Sequence, residues 1–122
     1  MDSRLRCVID ANVIIDLHNG GILKDITNLP IDFVTPDIVL AEHRNGSPDE
    51  VLRSGIRAEE LSGKLVRQVT ELAPRNRKLS TPDLFAFVLA RHHGCVLITG
   101  DGRLRTLAEQ QATECHGTLW VM

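Results

Sequence analysis

Short apolar runs alternate with helical segments along this 122-residue chain. The runs have the length and composition of buried strands, and they occupy residues 5–9, 32–35 and 95–98, with shorter candidates at 113–115 and 119–121. Residues 56–61 alternate weakly, which is typical of an edge strand. Helix signals fill the gaps, at residues 13–19, 37–44, 65–72, 84–90 and 102–110. This alternation predicts an α/β fold, a parallel β-sheet flanked by helices on both faces in three α/β/α layers.

One helix boundary is marked with particular clarity. Ser80 and Asp83 have the spacing of a capping box, and Pro82 lies in the same first turn. The segment that follows, residues 84–90, is apolar on every side. We therefore expect a buried helix that begins at the capping box and ends at Gly94.

Length and composition indicate a single small domain made up of residues 1–122. Hydrophobic residues form 43% of the chain and charged residues 25%, which is ordinary for a soluble globular protein. No apolar run approaches the ~20 residues that cross a membrane, and the N-terminus lacks the basic-then-apolar pattern of a signal peptide. We therefore expect a cytoplasmic protein without a membrane segment.

Cysteine usage and net charge exclude some chemistry. Cys7, Cys95 and Cys115 are odd in number and widely spaced, which excludes a full disulfide framework and fits no zinc motif. The net charge of −2 lacks the basic excess that nucleic-acid-binding proteins usually show. It does not exclude a nuclease, because four metal-binding acids left out of the count would change the net charge to +2.

Four acidic residues are placed where a parallel sheet binds its ligands. Asp10 directly follows the first strand, and Asp101 follows the strand at 95–98. Glu42 lies in the helix after the second strand, and Asp83 lies in the first turn of the buried helix. Ligands in such sheets bind outside the carboxyl ends of the strands. We therefore expect the four side chains to gather at that edge.

A cluster of four carboxylates needs a cation. Two carboxylates ~4 Å apart repel by roughly 4 kcal/mol at an effective dielectric constant of ~20. Mg²⁺ or Mn²⁺ suits the cluster because both prefer oxygen ligands.

Each acid also has a purely structural interpretation: Asp10 ends a strand, Asp83 completes a capping box, Glu42 is a solvated helix residue and Asp101 is a turn or cap residue.

Four segments of the chain resemble, in order and spacing, the acidic motifs of the PIN-domain nucleases. They are residues 8–17, which contain Asp10 and Asn12, residues 36–42, residues 79–83 and residues 97–104. The segment at 116–121 is similar to the family's closing strand. The resemblance therefore spans nearly the whole chain.

The resemblance implies a Mg²⁺- or Mn²⁺-dependent endoribonuclease that hydrolyses RNA phosphodiester bonds. Its metal ligands and catalytic residues would be Asp10, Glu42, Asp83 and Asp101, with Asn12 and Thr99 as supporting polar groups. Arg103 and Arg105 follow the last acid and are candidates for binding RNA phosphates. The basic loop that contains Arg75, Arg77 and Lys78 is a further candidate, or a solvated surface.

Small chains of this family resemble VapC-type toxins, which pair with an antitoxin and often form homodimers. The resemblance therefore implies a cognate antitoxin and a second copy of the chain as partners, besides the RNA substrate. Chains of the family usually continue into a helix after the closing strand. This sequence ends at Met122, so we expect a domain without that C-terminal helix.

Three other functions fit some of the pattern. A PIN-like module that binds RNA or protein without cleavage would have the same fold, although the presence of all four acids argues against it. A phosphoacceptor receiver domain would need an acidic pair and a late lysine that this chain lacks. An Asp-x-Asp phosphatase would need a second acid where Asn12 stands.

Overall fold

A five-stranded parallel sheet forms the centre of the computed structural model, which describes residues 5–10, 13, 31–38 and 56–116. The sheet has the strand order β3-β2-β1-β4-β5, and its strands are β1 (Leu5–Ile9), β2 (Ile31–Pro36), β3 (Arg57–Glu59), β4 (Val96–Ile98) and β5 (Cys115–His116). The complete helices within the described ranges are α1 (Gly63–Leu72), α2 (Thr81–His93) and α3 (Gly102–Gln110), and a 3₁₀ turn, Ala73–Arg75, follows α1. The predicted α/β fold with a parallel sheet is confirmed.

The register of the central strands brings their carboxyl ends to one level. Val8 of β1 pairs with Val34 of β2 on one side and with Leu97 of β4 on the other. Ile9 pairs with Ile98, so β1 and β4 end together. Whatever follows these two strands therefore lies side by side at the same edge of the sheet.

Both faces of the sheet are buried. On one face, side chains of β1, β2 and β4 pack in a single core with α1, α2 and α3. Helix α2 lies deep in this core, because all of residues 84–90 except the half-buried Phe85 are buried. On the opposite face, Cys7, Ile9 and Ile98 are also fully buried, as a three-layer arrangement requires.

Helix α1 buries a narrower stripe than the sequence predicts. Leu65 and Val69 are buried and Leu72 is half-buried, but Val66 is 40% exposed. Val66 is one residue from Leu65, which rotates it about 100° around the helix and away from the core. The apolar residues of the predicted helix, namely Leu65, Val66, Val69 and Leu72, predict one buried stripe, and the inclusion of Val66 in that stripe is wrong.

Several predicted segments fall outside the described residues or differ slightly in extent. The predicted strand at 32–35 is one residue longer at each end, since β2 runs from Ile31 to Pro36. Most of the helices predicted at 13–19 and 37–44, and the closing strand at 119–121, lie outside the described residues. Among the described helices, none is long and apolar enough to span a membrane.

Gly94 and Gly63 offer a matched test of the turn that joins α2 to β4. An added Cβ would meet no atom within 4 Å at either glycine, but Gly94 has φ +63° as the left-handed cap of α2. We therefore expect Gly94→Ala to lower the free energy of unfolding by about 1 kcal/mol. Gly63→Ala, in the first turn of α1, should leave it unchanged or slightly higher. Urea unfolding measures both, and equal effects would contradict this explanation.

Candidate active site

Asp10 and Thr99 meet where β1 and β4 end. The backbone N–H of Asp10 donates a hydrogen bond of 3.3 Å to the carbonyl of Ile98, which continues the ladder by one residue. The Thr99 hydroxyl donates to Asp10 Oδ2, and both residues are fully buried. Thr99, predicted as a supporting polar group, therefore contacts the first candidate acid directly.

The Asp10 carboxylate is buried without a counter-charge among the described residues. Its Oδ1 accepts a hydrogen bond of 2.9 Å from the N–H of Val13, and its Oδ2 accepts the one from Thr99. The ion pairs of the described chain all involve other acids, namely Asp32, Glu59 and Glu114. A buried carboxylate held only by neutral donors is costly when ionised, so this position suits a bound cation.

Asp101 is joined to the same pair through Thr99. The Thr99 hydroxyl oxygen accepts a hydrogen bond of 3.1 Å from the N–H of Asp101. Asp101 also caps α3, because its Oδ1 accepts from the N–H groups of Arg103 at 2.8 Å and Leu104 at 3.4 Å. Only one carboxylate oxygen is used, and Oδ2 makes no hydrogen bond with a described residue.

Asp83 reaches the site from the first turn of α2. It forms the predicted capping box: its Oδ2 accepts a hydrogen bond of 3.1 Å from the N–H of Ser80, and the Ser80 hydroxyl accepts one of 3.2 Å from the N–H of Asp83. The residue is only 9% exposed. Its Oδ1 makes no hydrogen bond within the described chain, so capping and ligand binding do not compete for the same oxygen.

The three described acids interact electrostatically. The pKa of Asp10 is raised from 3.8 to about 6. Burial is the largest cause, the hydrogen bonds from Thr99 and Val13 act against it, and the charges of Asp83 and Asp101 add to the rise. Each carboxylate therefore makes ionisation of Asp10 more costly, and a shared cation would remove that cost.

The donor set fits a hard cation better than zinc. Within the described ranges, no three acidic, histidine or cysteine side chains are close enough together to hold one ion by direct contacts alone. Mg²⁺ usually keeps several waters and uses only one or two carboxylates, so a pair of these acids is sufficient for it. Glu42 and Asn12, the other predicted site residues, lie outside the described part of the chain.

Thr35 is a site-supporting residue that the sequence analysis missed. The sequence predicted it as the last residue of the strand at 32–35 and gave it no role in the site; it lies in β2 and is fully buried. Its hydroxyl donates a hydrogen bond of 3.0 Å to the carbonyl of Ile9, the residue that precedes Asp10. Thr35 therefore positions the backbone of Asp10. A threonine at the end of an apolar strand, level with the first acid, was the available signal.

The two candidate RNA-binding arginines lie on different sides of α3. Residues two apart on a helix do not face each other. Arg103 lies beside the loop that precedes α2, where both line one cleft. Arg105 instead lies near Cys115 of β5, since its charge lowers the pKa of that thiol. Burial has the larger effect, and the pKa of Cys115 is raised to about 11.

Solved structures of similar fold cover almost the whole chain. PAE2754 from Pyrobaculum aerophilum aligns with a TM-score of 0.65 and 17% identity over 97% of this chain and 94% of that chain. VapBC2 from Rickettsia felis, solved bound to a DNA fragment from its promoter, aligns with a TM-score of 0.61 and 13% identity over 93% and 98%. FitAB bound to the IR36 DNA fragment aligns with a TM-score of 0.50 and 15% identity over 92% of this chain and 94% of that chain. None of the curated proteins matches the sequence.

The fold and the site define an α/β domain with interacting acids at the carboxyl edge of a parallel sheet. A profile of the PIN-domain family DUF3368 matches residues 6–122, and the chain belongs to the PIN-domain family. PIN domains are generally nucleases that use divalent metal ions.

The raised pKa of Asp10 predicts a pH-dependent effect of Asp10→Asn. The folded protein binds the Asp10 proton more tightly than the unfolded chain does, so protonation of Asp10 stabilises the fold. This stabilisation is complete below about pH 4 and is lost as the pH rises through about 6. At about pH 8, ionised Asp10 then costs the metal-free protein up to about 3 kcal/mol. Asn keeps the acceptor for Val13 and carries no charge.

We therefore expect Asp10→Asn to be more stable than the wild type at high pH in chelator, with a difference that shrinks toward pH 4. Urea unfolding across the pH range measures the difference. A difference of the same size at every pH would show that Asp10 is not the group with the raised pKa.

Proposed function

We propose that this chain is a Mg²⁺- or Mn²⁺-dependent endoribonuclease and the toxin of a cytoplasmic toxin–antitoxin pair. The observation that carries the proposal is Asp10: a fully buried carboxylate at the carboxyl edge of the sheet, made harder to ionise by Asp83 and Asp101. Acids with a purely structural role are seldom buried close together without a charge partner. In a member of the PIN-domain family, such a group of acids has a catalytic explanation.

The proposed metal ligands and catalytic residues are Asp10, Glu42, Asp83 and Asp101. Asp83 and Asp101 each anchor one oxygen on a helix N-terminus and leave the other for a ligand. Thr99 fixes the orientation of Asp10, and Asn12 is proposed as a second supporting group. A bound divalent cation would lower the pKa of a water molecule and stabilise negative charge on the phosphate.

The protein's own contribution is to hold oxygen ligands ready in a water-poor setting. Asp10 must lose its proton before it can bind a cation, so the affinity for the cation should fall as the pH drops below its pKa of about 6. The Thr99 hydroxyl donates to Asp10 and accepts from the Asp101 backbone. One side chain therefore fixes two acids relative to each other.

The proposed partners are an RNA substrate, a cognate antitoxin and a second copy of the chain. Support for the antitoxin comes from the fold, since VapBC2 and FitAB were each solved on DNA and resemble this chain over more than nine-tenths of its length. At 13% and 15% identity this similarity concerns the fold.

Cleavage of a mixed, structured RNA pool tests the proposal. We expect the purified protein to cut RNA with Mn²⁺ or Mg²⁺ and not with chelator, and Asp10→Asn to lose at least about a hundredfold in rate, since even outer-shell changes at metal sites cost 10- to 100-fold. Glu71→Gln removes one exposed carboxylate of α1, away from the site, and is the matched control. It should cut as the wild type does.

Two results would contradict the proposal. Full activity of Asp10→Asn would remove Asp10 from the mechanism. A folded protein that binds Mn²⁺ but cuts no RNA would instead be the non-cleaving module that shares this fold.

A further inference from the structure

A basic cleft lies beside the candidate active site. The loop between α1 and α2 and the first turn of α3 line a cleft of about 410 Å³. Its cations are Arg75, Arg77 and Lys78 from the loop and Arg103 from α3, and none of the residues that line it is acidic or aromatic. Positive charge from two separate segments is therefore collected in one concave surface.

The cations of the basic cleft are available to a ligand. All four are exposed. The ion pairs and side-chain hydrogen bonds found in the described ranges of the chain involve none of their side chains. Unpaired cations that face each other across a cleft repel, and a bound anion removes that repulsion.

The loop itself is held in a defined shape. Its Asn76 side chain donates a hydrogen bond of 2.9 Å to the carbonyl of Leu72 at the end of α1. The carbonyl of Asn76 accepts one of 3.0 Å from the N–H of Leu79, which is itself buried. The cations are therefore carried on an ordered backbone, which lowers the entropic cost of binding.

Both walls of the basic cleft continue into the acids of the active site. Leu79 is followed by the capping box that contains Asp83, and the N–H of Arg103 donates to Asp101. A strand bound in the basic cleft would thus pass directly to the carboxylates. Arg105, on the other side of α3, does not line the basic cleft.

We propose that the basic cleft binds the sugar-phosphate backbone of the RNA next to the bond that is cut, and that it does so without reading bases. Exposed Arg and Lys side chains are the usual phosphate contacts, and such contacts position a strand without carrying sequence information. None of the lining residues is aromatic, so the basic cleft offers no aromatic platform on which bases could stack. This inference rests on the proposed function and adds a substrate-binding surface to it.

Binding of RNA requires positive charge close to the site, because the net charge of the whole chain does not attract RNA. Its net charge is −2, and the site acids repel phosphate. A nuclease of this charge needs cations placed close to the site, and the basic cleft supplies four of them at its border.

The test compares two pairs of substitutions with the same loss of charge. Arg77→Ala with Lys78→Ala alters the basic cleft, whereas Lys64→Ala with Arg67→Ala removes one lysine and one arginine from the exposed side of α1. The full-length protein in chelator is titrated into a short labelled single-stranded RNA at several salt concentrations, with fluorescence anisotropy as the readout.

We expect the cleft pair to raise the Kd about tenfold and to reduce the slope of log K against log salt by about 1.4, the value for two lost phosphate contacts on a single strand. The effect should be the same for RNAs of different sequence. The control pair should bind RNA as the wild type does.

The inference would be overturned if both pairs of substitutions weakened RNA binding equally, or if neither pair weakened it. Poly-glutamate is titrated in the same way as a probe for acidic proteins. If the cleft pair lost binding to poly-glutamate but bound RNA as the wild type does, the surface would be one for an acidic protein, and the inference would also be overturned. Weakened RNA binding by the cleft pair alone would support it even if the chain cut no RNA, so failure of the proposed function can be told apart from failure of this inference.

Discussion

The contact between the Asp10 carboxylate and the Thr99 hydroxyl is the interaction on which the rest of the site depends. Both residues follow paired central strands and both are fully buried. Asp10 cannot turn toward water, because β1 has a neighbour on each side and its backbone is bonded to Ile98. The cost of ionising it must therefore be met within the site, and the acids around it make that cost larger. A cation is the simplest group that reverses the balance.

The same side chains that cap two helices are the ones proposed as metal ligands. Asp83 closes a capping box, and Asp101 caps α3, yet each uses one carboxylate oxygen for this purpose. The structural and functional interpretations of these acids were alternatives in the sequence, but they are compatible in the structure. Local folding of two helices thus fixes the direction of two acids before any ligand arrives, which is what preorganisation of a charged site requires.

What could be predicted from the sequence depended on local patterns. The apolar run of β1 and the segment of α3 were predicted with the bounds that the structure has, because their signals lie within the segments themselves. The placement of Asp10 and Asp101 at one edge followed from parallel topology alone. The exposure of Val66 and the bond from Thr35 to Ile9 could not be predicted, since each depends on packing between segments far apart in sequence.

The distribution of charge explains why the net charge of −2 says little about function. Acids are concentrated at the ends of β1 and β4 and at the start of α2. The four cations of the basic cleft lie immediately beside them, and none is paired with another described residue. A cation bound by the acids would turn the whole border positive, so metal binding and phosphate binding favour each other. Under the proposed function, RNA would therefore be held most firmly when the metal is bound and the site is ready to cut.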